Sequence, residues 1–522
     1  PKKVSYTLQY LKPRRVLQIC RVTNSGHIQM AKRSDTKTKA QTSTTNPKHH
    51  FQTNFKPSLV EATYMAKPLH LQTRKDRYEL GRALRLMCSR ESQASYDLQR
   101  KDRLDPIEIL MASSEGRIEQ LVPIRYGRMV TSPFAFFRGA AAIMSADLAS
   151  TPSTKYAVQS CGDCHLMNFG AFATPERNII FDINDFDETF PATWEWDLKR
   201  LTTSLVIASE FNGHKTKEGI AAAFQAALTY GEKMRELAEM KTLDSWYSYL
   251  CYEEMIEQTD CKKLKKLKKE GLKKAMSRCA NEELVRLACM AGERPRIKDQ
   301  PPLIYHVEEY ETAQYQKRIQ KALAGYRESL ALERRVLFDK YELADVAVKV
   351  VGVGSVGTYC HVGLFFAAEE DPLFLQIKEA RTSVLEPFSS FVNLHGNNGE
   401  RVVTGQRLMQ AASDFFLGHF VEESGRHYYV RQLRDVKVKP LVEVFNPDHM
   451  RGYARNCAWA LARAHARSGD PAIIAGYIGK GSAFAEAISQ FAAAYSEQNR
   501  QDFERFREAV RDGDIEIVTE EA

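Results

Sequence analysis

The spacing of apolar residues changes along the chain, and the changes mark its parts. From about Tyr78 apolar residues recur at helical intervals: Leu80, Leu84 and Met87, then Ile107, Leu110 and Met111 behind Pro106. Ser132 followed by Pro133 reads as an N-cap and first helical residue, leading into a small-residue helix that runs to about Leu148. Ile179-Ile180-Phe181 has the length and character of a buried strand. Residues 194–208 read as an amphipathic helix with Leu198, Leu201 and Leu205 on one face, and residues 209–340 continue in helical texture. At about Leu343 the pattern becomes β-like. Residues 346–351 are β-branched and alternating, and after a glycine-rich turn residues 359–366 and 373–378 continue an antiparallel meander. A helix is expected near 402–420 and a strand at 428–433. Helices return at 452–466 and at 483–510, before an acidic tail from Asp512 that is expected to fray.

Composition narrows the class. A chain of 522 residues is too long for one ordinary core, so two or three lobes are expected. A hydrophobic share of 43% with 27% charged residues is that of an ordinary globular protein. The net charge of +8 is modest for this length and locally concentrated, which gives no reason to expect nucleic acid. No run approaches the roughly 20 apolar residues of a membrane span. The ten cysteines are scattered, as free thiols in a reducing cytoplasm would be. Residues 1–60 hold Asp35 as their only acid and read as a disordered basic tail or a targeting segment. The lysine-rich stretch 261–269 reads as an amphipathic helix with a solvated basic face.

Candidate chemistry begins at Cys161-Gly162-Asp163-Cys164-His165-Leu166-Met167-Asn168-Phe169-Gly170. Asp163 and Asn168 have the separation of a catalytic Asp and a metal-binding Asn in kinase-type sites. A second metal-binding Asp belongs a hairpin's length later, and Asp185-Phe186-Asp187 stands there. Gly352-Val353-Gly354-Ser355-Val356-Gly357 is a G-x-G-x-x-G followed by strand rather than helix, which suits a flap over nucleotide phosphates better than a dinucleotide turn. Lys378 follows on a strand about twenty residues later, where such a site carries its phosphate-binding lysine. Arg125, Arg128 and Arg138 lie near a helix start and either hold an anion or brace the acidic cluster. Cys161-Gly162-Asp163-Cys164-His165 also matches a haem-attachment or redox signature, but neither export nor a thioredoxin-like context accompanies it. No second ligand pair suggests zinc.

Several blocks resemble one known family. They are Arg138-Gly139, the Gly162–Gly170 block, Asn184-Asp185-Phe186-Asp187-Glu188-Thr189, Trp194-Glu195-Trp196-Asp197-Leu198-Lys199-Arg200-Leu201, the 399–407 block and Ala464-His465-Ala466-Arg467-Ser468-Gly469-Asp470. Over roughly residues 70–510 they resemble the bacterial domain-of-unknown-function family 2252. The central block is similar in turn to the aminoglycoside phosphotransferase and choline kinase branch of protein-kinase-like folds. That resemblance implies Asp163 as catalytic base, Asn168 and Asp185 as Mg²⁺ ligands, His165 near the transferred phosphate, and Asp197 bracing the catalytic loop.

The catalytic block precedes the flap and the lysine, the reverse of kinase order, which a circular permutation reconciles. The expectation is therefore an α+β, two-lobed, protein-kinase-like fold, circularly permuted and carrying extra helices. Residues 61–340 form the mainly helical catalytic lobe with the metal-binding loop. Residues 341–440 form the β-rich nucleotide-binding lobe, and 441–522 are C-terminal helices packing on the catalytic lobe. The function expected is ATP- and Mg²⁺-dependent phosphoryl transfer to an unidentified hydroxyl-bearing molecule. AMP transfer, or nucleotide binding without transfer, are the alternatives. Site residues are Asp163 and His165; Asn168, Asp185 and Asp187 for metal; Gly352, Gly354, Gly357 and Lys378 for nucleotide; Glu400 as acidic partner of Lys378; and Asp197 and Arg138 in support. No oligomeric state follows from the pattern.

Overall fold

The computed structural model describes residues 71–519 apart from 258, 260–261, 277–286, 292–293, 308–311, 369–370 and 434–436. The basic stretch 1–60 lies outside the described residues. At the centre is the helix Trp194–Phe211, against which the helices Thr216–Glu239, Pro447–Ser468, Ser482–Asp512 and Pro133–Gly139 all pack. Every residue from Trp194 to Ser209 is buried. This corrects the amphipathic reading: with protein on all sides, the helix has no water-facing stripe. Its apolar positions fill the core, and Glu195, Asp197, Lys199 and Arg200 find hydrogen-bond partners on neighbouring segments. Trp194 stacks on Tyr230 with ring centres 5.5 Å apart, and Lys199 sits over the Phe491 ring.

Beside this bundle lies the hairpin Phe169–Ala173 and Ile179–Ile183, paired antiparallel with Phe169 opposite Ile183. All five residues of its second strand are buried, including Asp182. That carboxylate is tolerable because Arg463 pairs with it and the amides of Ile183 and Ala411 donate to it. The hairpin therefore delivers Asn168 and Asp185, just beyond its two ends, from a rigid base.

The meander forms a six-stranded antiparallel sheet. Its order is Gly418–Val421, His427–Gln432, Pro372–Glu379, Cys360–Phe366, Glu342–Lys349 and Ile304–Tyr305. Alternation sorts its side chains: Leu373 and Leu375 pack with Tyr326 of the helix Ala313–Ser329, and Phe374 joins Leu287 and Ile297 on the other face. Two stretches differ from expectation. Residues 209–340 include the hairpin Ala288–Ala291 with Arg294–Ile297, and the helix Asn398–Met409 ends early enough for Gly418–Val421 to be a strand. Nor are residues 513–519 of the acidic tail loose. Ile515 is buried and the Val518 amide donates to Pro123 at 3.0 Å. Sheet and helices belong to one compact unit, residues 57–522, and none of the described helices is long and apolar enough to cross a membrane.

Candidate functional site

The loop 161–168 is held from beneath by Asp197. One carboxylate oxygen accepts from the Cys161 amide at 2.7 Å, the other from the Gly162 amide at 3.0 Å. His465 Nε2 lies 3.1 Å from Asp197, and its other ring nitrogen meets the Tyr230 hydroxyl at 2.8 Å. Gly162 is in the left-handed region, with φ of 86°, and a Cβ there would stand 2.2 Å from the Glu188 carbonyl oxygen. Past the turn, the Asn168 carboxamide donates to the Asp163 carbonyl at 2.7 Å, so the two residues are locked together.

Asp163 accepts a hydrogen bond of 2.6 Å from Arg200, one turn beyond Asp197 on the central helix. Burial pushes the Asp163 carboxyl above its ordinary range, opposed by the Arg200 and Arg138 guanidinium groups. His165 is buried, and its Nδ1 accepts from the Met167 amide. Burial and the same two arginines push its pKa well down, so it is neutral, with Nε2 3.8 Å from Asp163.

Asp185 and Asp187 divide in role. Among the described residues Asp185 receives only the Asp187 amide, at 3.3 Å, and burial followed by repulsion from Asp187 raises its pKa. Asp187 is fully engaged: Lys378 pairs with it, the Tyr429 hydroxyl donates at 2.7 Å and the Ser355 hydroxyl at 3.2 Å. Burial pushes this carboxyl up, but Lys378 and Tyr429 prevail and hold it low. Asp187, expected as a metal ligand, is thus the partner of the lysine, a role expected of Glu400. Lys378 and Tyr429 are directly opposed across two strands, so both side chains leave the same face of the sheet and converge on Asp187. Glu400 points elsewhere and accepts from the Gly396 amide at the start of its helix. Its neighbour Arg401, about 100° further round the helix, is the one that enters the site, donating to the carbonyls of Asp187, Thr189 and Arg381.

A cavity of about 210 Å³ gathers these groups: Asp163, His165, Asn168 and Asp185 line it together with Gly352 and Gly354 of the glycine turn. The turn therefore lies against the carboxylates, although nearly 200 residues separate them in the chain. Gly352 adopts a φ of 68° and Gly357 one of 83°. Gly357 does not line the cavity; its carbonyl accepts from the Ile118 amide at 2.7 Å and anchors the turn. Cys161 also lines the cavity, but its thiol and that of Cys164 are protonated and inert. Cys161 and Cys164 are buried within 4.8 Å of Asp197, whose oxygens already accept amides, and burial pushes both thiols up, Cys164 to about 11.

Arg200, Tyr429, Ser355, Arg401 and His465 support the site without any motif that marks them. Only Arg200 left a local signal, three residues after Asp197 on one helical face.

Glu188, which also lines the cavity, carries a pH dependence. Burial raises its carboxyl from 4.5 to about 6, although the Val384 amide donates to it at 2.7 Å. Between these values the native state keeps a proton that the unfolded chain has released. The resulting cost is absent below pH 4.5 and complete above pH 6, about 2 kcal/mol. Glu188→Gln, which keeps an acceptor for Val384, is expected to stabilise the protein by about that amount at pH 7.5 and negligibly at pH 4. Denaturant titrations at the two pH values check this, and an equal gain at both contradicts it.

Residues 117–509 match the model of a family described as an uncharacterized protein conserved in bacteria, DUF2252. No curated protein and no solved structure matches the chain.

Proposed function

We propose that this chain, which belongs to the DUF2252 family, is an ATP- and Mg²⁺-dependent phosphotransferase with a circularly permuted, kinase-like arrangement. The observation that carries the reading is the single cavity shared by Asp163, Asn168, Asp185 and the glycine turn, with Lys378 meeting Asp187 beside it. The order within the β-rich part supports it too. A glycine turn joins two strands, the next strand bears the lysine, and a helix follows, as in protein kinases.

The residues fit a magnesium ion. Asp185 has a half-buried carboxylate with one weak donor among the described residues, and Asn168 spends its N–H on Asp163, leaving its carbonyl oxygen as the ligand atom. Bound there, Mg²⁺ supplies neutralisation of the phosphate charge. Asp163 accepts a hydrogen bond from the acceptor hydroxyl and orients it. The new O–P bond forms to the γ-phosphorus as the bond to the β–γ bridging oxygen breaks; ADP leaves, and the hydroxyl proton passes to Asp163. Neutral His165 donates a hydrogen bond rather than a charge. Lys378 releases or shares Asp187 to meet the phosphates, and the amides of the glycine turn cover them.

The test is calorimetric titration with Mg-ATP. Asp185→Asn is expected to weaken binding on the order of a hundredfold, about 3 kcal/mol, as loss of a charged ligand does; unchanged affinity rejects this site for metal and nucleotide. Labelling with α- or γ-labelled ATP separates phosphoryl from AMP transfer, and no transfer with intact binding favours a nucleotide-binding protein.

A further inference from the structure

Four arginines, Arg117, Arg125, Arg138 and Arg381, line the same cavity as Asp163 and Asp185. Three cations nearby meet carboxylates, Lys378 with Asp187, Arg200 with Asp163 and Arg463 with Asp182, whereas Arg401 donates to backbone carbonyls, and the four cavity arginines resemble Arg401 in this. These four have no carboxylate ion partner among the described residues. Arg117 gives its donors to the Ser113 and Val356 carbonyls, and Arg381 to the Ser113 and Glu115 carbonyls, so both brace backbone. Arg125, only 2% exposed, reaches Ser113, Ser114 and the Gly139 carbonyl, with its Nε unpartnered. Among the described residues Arg138 has no hydrogen-bond partner for its Nε, which is shut away from solvent. Burying a guanidinium without a counter-ion is costly, and a cavity wall built this way is stabilised when an anion enters. Ala141 and Ala142, at the start of the helix Ala141–Ala149, which has no side-chain cap, line the cavity next to Arg138.

Resting on the phosphotransferase reading, we propose that Arg138, backed by Arg125, binds an anionic group of the acceptor, so that the substrate is a hydroxyl compound that already carries a phosphate or carboxylate. Its place relative to the base favours the acceptor over the nucleotide. Arg138 lines the cavity together with Asp163 and, with Arg200, opposes the burial of that carboxyl. A guanidinium beside the orienting carboxylate suits the far end of a small acceptor whose hydroxyl meets Asp163.

The experiment titrates the full chain with inorganic phosphate, with and without saturating Mg-ADP, and separately with Mg-ATP. Wild type is expected to bind phosphate in both conditions. Arg138→Gln is expected to weaken phosphate on the order of tenfold or more while leaving Mg-ATP affinity unchanged, with Arg138→Lys between. Thermal unfolding of each variant shows that the difference is not lost folding. Three results overturn the proposal: no phosphate binding, mutual exclusion of phosphate and Mg-ADP, or an Arg138→Gln penalty shared equally by Mg-ATP. Phosphate binding by a chain that takes no Mg-ATP keeps the anion site and rejects the phosphotransferase reading instead.

Discussion

Asp197→Ala is expected to cost the fold roughly 3–5 kcal/mol, the range for stripping one partner from a buried, hydrogen-bonded charge. The carboxylate is 1% exposed and receives the Cys161 and Gly162 amides and His465. Its removal leaves two buried backbone donors and an imidazole unanswered, each costing about 1–3 kcal/mol. The cavity left is too enclosed by the surrounding helices for easy relaxation. Asp197→Asn keeps one acceptor oxygen and should fall between. Denaturant unfolding measures both, and nucleotide binding by whatever remains folded reports on the loop. A loss under about 1 kcal/mol would mean that the loop 161–168 is held by its own turns rather than by the helix.

Asp163→Asn is expected to lower the transfer rate by about 10²- to 10⁴-fold, the usual contribution of a positioned acid–base group. Mg-ATP affinity should be unchanged, because the carboxylate contacts Arg200 and not the proposed metal pair. The carboxamide oxygen can still accept from Arg200, so a folded protein is expected. Rates of ADP release, with water or a hydroxyl compound as acceptor, give the comparison. An equal loss of affinity and rate would move Asp163 from the chemistry to the binding of nucleotide.

Some of this architecture is legible over a few residues. Ser132 caps its helix by accepting from the Ala135 amide, as Ser-Pro predicts. The alternation of 346–351 and 373–378 gives antiparallel strands, with the glycine turn before the second strand of the meander. Where the reading failed, it assumed an environment. A helical stripe of Leu198, Leu201 and Leu205 suggests a wet opposite face, yet Asp197 and Arg200 point into a dry interior and hold the loop. Kinase-like order places the partner of Lys378 in the following helix, whereas strand register directs the lysine to Asp187, 191 residues earlier.

The sequence by itself determined the groups available and their local spacing: Asp163 five residues before Asn168, Asp185 beyond a hairpin, glycines able to take positive φ, and a lysine in a strand. These depend on neighbours, and backbone geometry alone relates them. Tertiary structure alone decided which carboxylate meets Lys378, why Arg401 rather than Glu400 enters the site, and that the loop and the glycine turn share one cavity with four arginines that lack a carboxylate partner among the described residues. Those outcomes rest on sheet register and helix rotation, which are set by packing between segments hundreds of residues apart and leave no periodic trace in the chain.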